Sequence, residues 1–250
     1  MGARVIAAAA ALIVTTGSAH AAEIDAMITT AMKAAVDELA PPFERASGHA
    51  LRITYGPSGG LARRLNAGEA ADLVVVDSKA LDELIKQGKV VAGRTDVART
   101  GIGIAVRKGA PKPDVSSPEA LKRALLAAKS IAHTAPAGGG VAAAHVMGVF
   151  AKLGIAAEVA PKVKLAAGGP NGRVSVLISS GEAEIGLQQV SELMSNPQVE
   201  VIGMLPAELQ QMTTYSAGTT TSARQVEAAQ GFIRHLAAPA AIYKTKGLAL

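Results

Sequence analysis

The sequence predicts an α/β protein of two lobes, each a mainly parallel sheet flanked by helices, with a ligand cleft between them. Three observations carry that expectation. Short apolar strands alternate with amphipathic helices along most of the chain. The strands include uninterrupted apolar runs such as Leu73-Val74-Val75-Val76, the pattern of a sheet covered by helices on both faces. A Gly/Pro-rich connector, Gly109-Ala110-Pro111-Lys112-Pro113, separates two sets of strand–helix units.

The chain has 250 residues, of which 49% are hydrophobic, enough for one large domain or two small lobes with buried cores. It opens with Arg4, an uncharged run from Val5 to Val14, and small residues leading to Ala19-His20-Ala21. That is the pattern of a secretory signal peptide spanning residues 1–21, too short to cross a bilayer as a stable helix, so a periplasmic location is expected.

In the first set, Ile24–Thr29 reads as a strand and Ala31–Ala46 as a helix with Met32, Ala35, Val36, Leu39 and Phe43 on one face. Pro41-Pro42 is expected to kink that helix. A strand at Leu51–Tyr55, a turn at Gly56–Gly59, a helix at Gly60–Ala67, a strand at Asp72–Val76 and a helix at Ser78–Gln87 follow. Thr100–Arg107 reads as one continuous strand.

The second set comprises helix Pro118–Lys129 capped by Ser117, strand Ser130–Thr134, helix Val141–Leu153 ended by Gly154, and strand Val163–Leu165. Helix Asn171–Ser180, strand Ile185–Gln188, a short helix near Val190–Met194 and a return strand at Val199–Met204 complete it. A last long helix, about Ala223–Leu236, packs back on the first set. The expected division is lobe I from 22–103 with 205–250, and lobe II from 104–204.

Composition excludes several classes of function. With no cysteine there is no disulfide, thiolate metal site or Cys nucleophile. The formal charge of +5, or +4 without Arg4, is too modest and dispersed for nucleic acid but suits an anionic ligand. Three Tyr, three Phe and no Trp cannot build aromatic stacking platforms in quantity. Gly101-Ile102-Gly103 lacks the rest of a dinucleotide fingerprint, and no P-loop or H-E-x-x-H motif occurs, so no cofactor and no metal are expected.

The informative segments are four strand-to-helix turns: Thr29-Thr30-Ala31, Ser58-Gly59-Gly60, Ala135–Gly140 and Gly168–Arg173. Helix N-termini present unpaired N–H groups and partial positive charge, so several of them facing one cleft can hold an anion without a basic side chain. Glycine lets a ligand reach the backbone, and Thr29, Thr30, Ser58 and Thr134 add hydroxyls. Gly56-Pro57-Ser58-Gly59-Gly60 also fits the G-x-S-x-G pattern of a nucleophile elbow, but no histidine has a recognisable catalytic context.

Thr29-Thr30-Ala31-Met32, the stretch from Ser58-Gly59-Gly60 to Gly68, and Ala71-Asp72-Leu73, with the Pro239-Ala240-Ala241 ending and Gly247, resemble the periplasmic molybdate-binding protein family over nearly the whole mature chain. The resemblance implies a type II periplasmic binding protein fold and a monomeric receptor that hands a small oxyanion or carboxylate to the permease of an ABC importer. Taken with the four turns, it gives the expected ligand-binding residues Thr29, Thr30, Ala31, Ser58, Gly59, Thr134, Gly138, Gly139, Asn171, Gly172, Arg173 and Gln188. The family's first oxyanion-binding hydroxyl falls near Ala31, which has none, and its tyrosine near Gln188, so neighbouring hydroxyls and the Gln188 or Gln189 amides are the expected substitutes. A carboxylate ligand would recruit an arginine fork, for which Arg173 at a helix start, with Lys33 or Arg63 in the first lobe, is the candidate. Aconitate isomerase, similar to these receptors, supplies the alternative: a periplasmic isomerase of tricarboxylates, although no residue of the sequence stands out as its base.

Overall fold

The computed structural model describes residues 21–169, 173–238 and 240–249. Residues 1–20 of the expected signal peptide, and Asn171 and Gly172 of the expected site, lie outside the described residues.

Strand β1 (Glu23–Thr29) leads through a turn of 3-10 helix, Thr30–Met32, into α1 (Lys33–Ser47). Helix α1 runs through Pro41 and Pro42, both solvent-exposed, and stops at Gly48, whose φ of 72° suits glycine. The following units are β2 (Ala50–Gly56) with α2 (Ser58–Asn66), and β3 (Leu73–Asp77) with α3 (Ser78–Lys86). The Asp77 carboxylate caps α3 by accepting the Ala80 N–H at 3.0 Å. Helix α2 begins at Ser58, two residues before its expected start, so Ser58 and Gly59 lie in its first turn.

Thr100–Arg107 is not one strand. It divides at Gly101 into β4 (Thr95–Thr100) and β5 (Ile102–Arg107), which belong to different sheets. The chain turns there close against the Met204 side chain, whose methyl a Cβ on Gly101 would have to displace.

Beyond it come α4 (Pro118–Ala127), β6 (Ile131–Thr134), α5 (Val141–Lys152), α6 (Ala156–Val159), β7 (Val163–Ala166) and α7 (Val174–Ser180). Strand β8 (Ile185–Gln189), α8 (Val190–Met194), β9 (Val199–Met204), β10 (Thr213–Thr219), α9 (Val226–Ala237) and α10 (Ala240–Thr245) complete the chain. Ser117 caps α4 by accepting the Ala120 N–H at 3.1 Å, as its position before Pro118 predicts.

The strands form two five-stranded sheets, ordered β2-β1-β3-β10-β4 and β7-β6-β8-β5-β9. In each, three strands pair in parallel, the fourth runs against them, and the fifth runs against the fourth. Four of the five strands in a sheet therefore point one way. The reversed strand is the one contributed by the chain as it crosses over: β10 in the first sheet, β5 in the second.

Alternation along β3 explains why its apolar run is continuous. Leu73 and Val75 face the core made with α1 and α9, while Val74 and Val76 face Leu61, Leu65, Leu81 and Leu84 of α2 and α3. The second sheet repeats this: Ile104 and Val106 face α4 and α5, and Ala105 faces α7 and α8.

The connections between the sheets are pinned. The Gln210 side-chain amide donates to the Ile102 carbonyl at 3.0 Å, and its oxygen accepts the Ile102 N–H at 2.9 Å. The C-terminal tail adds a bridge between Arg99 and Ala249, and Thr100 Oγ1 donates to the Gly247 carbonyl at 2.8 Å. Among the described residues, no helix is long and apolar enough to cross a membrane.

Candidate functional site

The carboxyl ends of the parallel strands of both sheets meet in one cleft, where open α/β sheets bind their ligands. From the first sheet, Thr29 ends β1 and Thr30 follows it, Pro57 and Ser58 follow β2, and Tyr215 reaches in from β10. From the second come Thr134 at the end of β6, Gly168 and Gly169 after β7, Gly140 and Val141 at the start of α5, and Gln188, Gln189 and Glu192 from β8 and α8. The lobes are closed on one another, and the space left between them is about 20 Å³, room for about one water. A larger groove of about 620 Å³ lies beside Ala22, at the opposite end of β1, between His49, Arg224 and Arg234.

The hydroxyls are held in place by specific partners. Ser58 Oγ donates to Thr29 Oγ1 at 3.2 Å and accepts the Asp77 N–H at 3.1 Å. This serine has a hydroxyl and an amide for neighbours, not an imidazole, so the G-x-S-x-G match reflects a helix start. The Gln188 oxygen accepts the Val174 N–H at the head of α7 at 3.2 Å, which turns its amide nitrogen toward Thr134 Oγ1 at 3.4 Å. Thr30 Oγ1 is buried with no hydrogen-bond partner although it lines the cleft. A buried hydroxyl left unpaired costs stability.

Gly59 and Gly139 do not line the cavity but form its closed edge. Gly59 donates its N–H to the Gly139 carbonyl across the lobes at 3.1 Å, and a Cβ on Gly59 would stand 3.0 Å from that oxygen. Gly138 ends the 3-10 turn Pro136–Gly138 just before it. Ala31 is buried in the first lobe's core beside Met32 and Ala35. Arg173 precedes α7 and donates to Ser195 Oγ at 2.6 Å. Of the other cations considered, Lys33 pairs with Asp37 at 2.7 Å, and Arg63 sits at the rim beside Gly139.

Two groups of the cleft escaped the sequence. Glu192, only 9% exposed, follows the buried strand β8 on the first turn of α8. Burial pushes its carboxyl up to about 7, against the pull of Arg173 and of a hydrogen bond with Gln188. Tyr215 is 1% exposed, and burial, with the nearby Glu192 and Asp77 charges, raises its phenol well above the ordinary value. The available signal for Glu192 was a lone acid three residues after the Leu187-Gln188-Gln189 strand end. Tyr215 was hidden because its whole strand was.

The histidines serve elsewhere. His133 is buried against Phe150, with its Nδ1 2.9 Å from the Thr134 carbonyl, and burial lowers its pKa. His145 and His235 bond to backbone carbonyls of Leu209 and Leu39.

The two sheets, the crossing strands and the donor-lined cleft define a type II periplasmic binding protein fold. The solved periplasmic molybdate-binding protein of Azotobacter vinelandii shares it, with a TM-score of 0.71 at 22% identity, covering 90% of this chain and 98% of that one. Residues 24–245 match the bacterial extracellular solute-binding protein family, and the chain belongs to it. Among its relatives, an aconitate isomerase from Pseudomonas sp is 35% identical over 208 residues, 81% of this chain and 77% of that protein. The molybdate-binding protein of Azotobacter vinelandii is 26% identical over 227 residues, 90% of this chain and 88% of that one.

Proposed function

We propose that the protein is a periplasmic receptor whose two lobes close over a small oxyanion or carboxylate and present it to the permease of an ABC importer; the expected division, 22–103 with 205–250 and 104–204, moves at its first crossing to Gly101, because Ile102 and Gly103 pair in the second sheet. The observation that carries this reading is the convergence of uncharged donors from both lobes, with Thr30 Oγ1 buried and unpartnered among them.

Each lobe alone offers an incomplete set: Thr29, Thr30 and Ser58 on one side, Thr134, Gln188 and the turn amides at Gly140 and Gly169 on the other. A ligand that needs both sets binds the closed form better and so shifts the balance toward closure. The free space of about 20 Å³ requires the lobes to part before an anion larger than a water enters.

A second reading has its own support. The 35% identical aconitate isomerase and the buried Glu192 carboxyl favour an isomerase of tricarboxylates on the same scaffold. Glu192, pushed up to about 7, would take a proton from the carbon beside the double bond and return it at the far end as the double bond shifts.

A thermal-shift screen of the mature chain against molybdate, tungstate, sulfate, phosphate, citrate and both aconitate isomers tests these readings, because a ligand that binds the native state raises its stability. Stabilisation by an oxyanion without turnover supports the receptor. Stabilisation by tricarboxylates alone, with interconversion of the aconitates, replaces it by the isomerase. No stabilisation by any anion removes both.

A further inference from the structure

Four of the cleft's side-chain donors and acceptors, Thr29, Thr30, Ser58 and Thr134, are neutral hydroxyls suited to any anion. Glu192 is not. Its carboxyl lines the same cavity, is nearly sealed from solvent, and lies within hydrogen-bonding reach of Gln188. An anion enclosed there meets a second anion in a space without water to screen the pair, and like charges that close repel strongly. A carboxylate can nevertheless be a good neighbour to an anion that still carries a proton, because it then accepts a charge-assisted hydrogen bond.

We propose that Glu192 sets the ligand specificity of the cleft by accepting the O–H of its ligand, so that the site takes anions bearing a hydroxyl, such as a hydroxycarboxylate or hydrogen phosphate, over fully ionised tetrahedral oxyanions. The inference rests on the anion-binding reading of the cleft and narrows it. It gives Glu192 a role in binding that requires no chemistry on the ligand.

The surroundings of Glu192 support this. Arg173, at the head of α7, supplies the one positive charge described as acting on it, and Tyr215 faces it from β10 with Asp77 beyond. The titratable groups of the other packed elements are engaged elsewhere. Glu200 of β9 pairs with Lys112 at 2.5 Å, Arg107 of β5 donates to the Ser179 carbonyl at 2.7 Å, and Lys246 of the C-terminal turn pairs with Glu38. Strand β8 and the Thr30–Met32 turn carry no titratable side chain. With its carboxyl pushed up to about 7, Glu192 is an acceptor in alkaline solution and a donor in mild acid, so discrimination weakens as the pH falls.

The test is calorimetric titration of sulfate, molybdate, hydrogen phosphate, malate and citrate into the wild-type protein and Glu192→Gln, at pH 8.5 and pH 6. The substitution keeps the shape and adds an N–H donor, and circular dichroism checks its fold. The wild type at pH 8.5 is expected to bind a hydroxyl-bearing anion about tenfold or more tightly than sulfate or molybdate. That preference shrinks at pH 6 and disappears in Glu192→Gln. Tighter binding of molybdate or sulfate by the wild type at pH 8.5, or the same preference in both proteins, overturns the inference while leaving the anion cleft standing. The wild-type pH comparison decides the matter if the variant misfolds. Failure of every anion to bind either protein removes the anion-cleft reading and this inference with it.

Discussion

Both lobes hang strand-to-helix turns over the cleft, yet they furnish it differently. The first presents neutral groups: the hydroxyls of Thr29, Thr30 and Ser58 and the Tyr215 phenol, with Arg63 outside at the rim. The second adds a titratable pair, Glu192 beside Arg173, to Thr134 and Gln188. Neutral donors grip an anion of almost any kind, whereas a buried charge discriminates among anions. On the proposed reading, affinity comes from both lobes and selectivity from the second.

The sharpest way to break that comparison is to stop the lobes meeting. In Gly59→Val the new side chain points at the Gly139 carbonyl, where even a Cβ stands at 3.0 Å, with Arg63 Nη1 the next side-chain atom at 3.6 Å. Affinity for any cleft ligand is expected to fall about 100-fold with thermal unfolding of the free protein little changed, as read by calorimetry and circular dichroism. Gly139 is a poorer choice, because its φ of 73° would strain the open form as well.

The next effect isolates the second lobe. A buried carboxyl raised from 4.5 to about 7 binds a proton more tightly folded than unfolded. Its contribution to stability is complete below the unfolded value and is lost as the pH climbs through about 7, roughly 3 kcal/mol in all. Urea titrations of the ligand-free protein between pH 5 and pH 8 should show that loss in the wild type and not in Glu192→Gln.

Smaller changes probe the first lobe. Thr30→Val removes a hydroxyl that has no protein partner, so stability should hold or rise slightly while ligand affinity drops about tenfold. Ser58→Ala breaks the bonds to Thr29 Oγ1 and the Asp77 N–H, and it should lower stability by about 1 kcal/mol even without ligand.

The same contrast explains what could be read from the sequence. The parallel strands with their following helices announced themselves by apolar runs and caps, as at Leu73–Val76 and Ser117. Of the two crossing strands, β5 was read within the expected Thr100–Arg107 strand, but β10 was not. Strand β10 is Thr213–Thr219, a run of Thr, Tyr, Ser, Ala and Gly with little apolar signal, yet it lies mid-sheet with Tyr215, Ser216 and Ala217 buried. Ser216 Oγ is satisfied by Asp96 at 2.6 Å, a partner 120 residues away that no local pattern announces. Strand β4 was missed in part for the same reason, its buried residues being interrupted by exposed Asp96 and Arg99.

In the cleft, hydroxyls and glycines at helix starts were legible because their chemistry is local. Glu192 was not, because an acid on the first turn of a helix is ordinary until the fold buries it.

Hydrogen–deuterium exchange of the intact protein, free and with malate or molybdate at saturating concentration, tests the proposed interlobe anion site most directly. Slowed exchange is predicted in both lobes at once, at the Ser58–Gly60 turn and at the Gly140–Val141 and Gln188–Glu192 segments. Protection limited to one lobe, or centred on the groove of His49, Arg224 and Arg234, would contradict it.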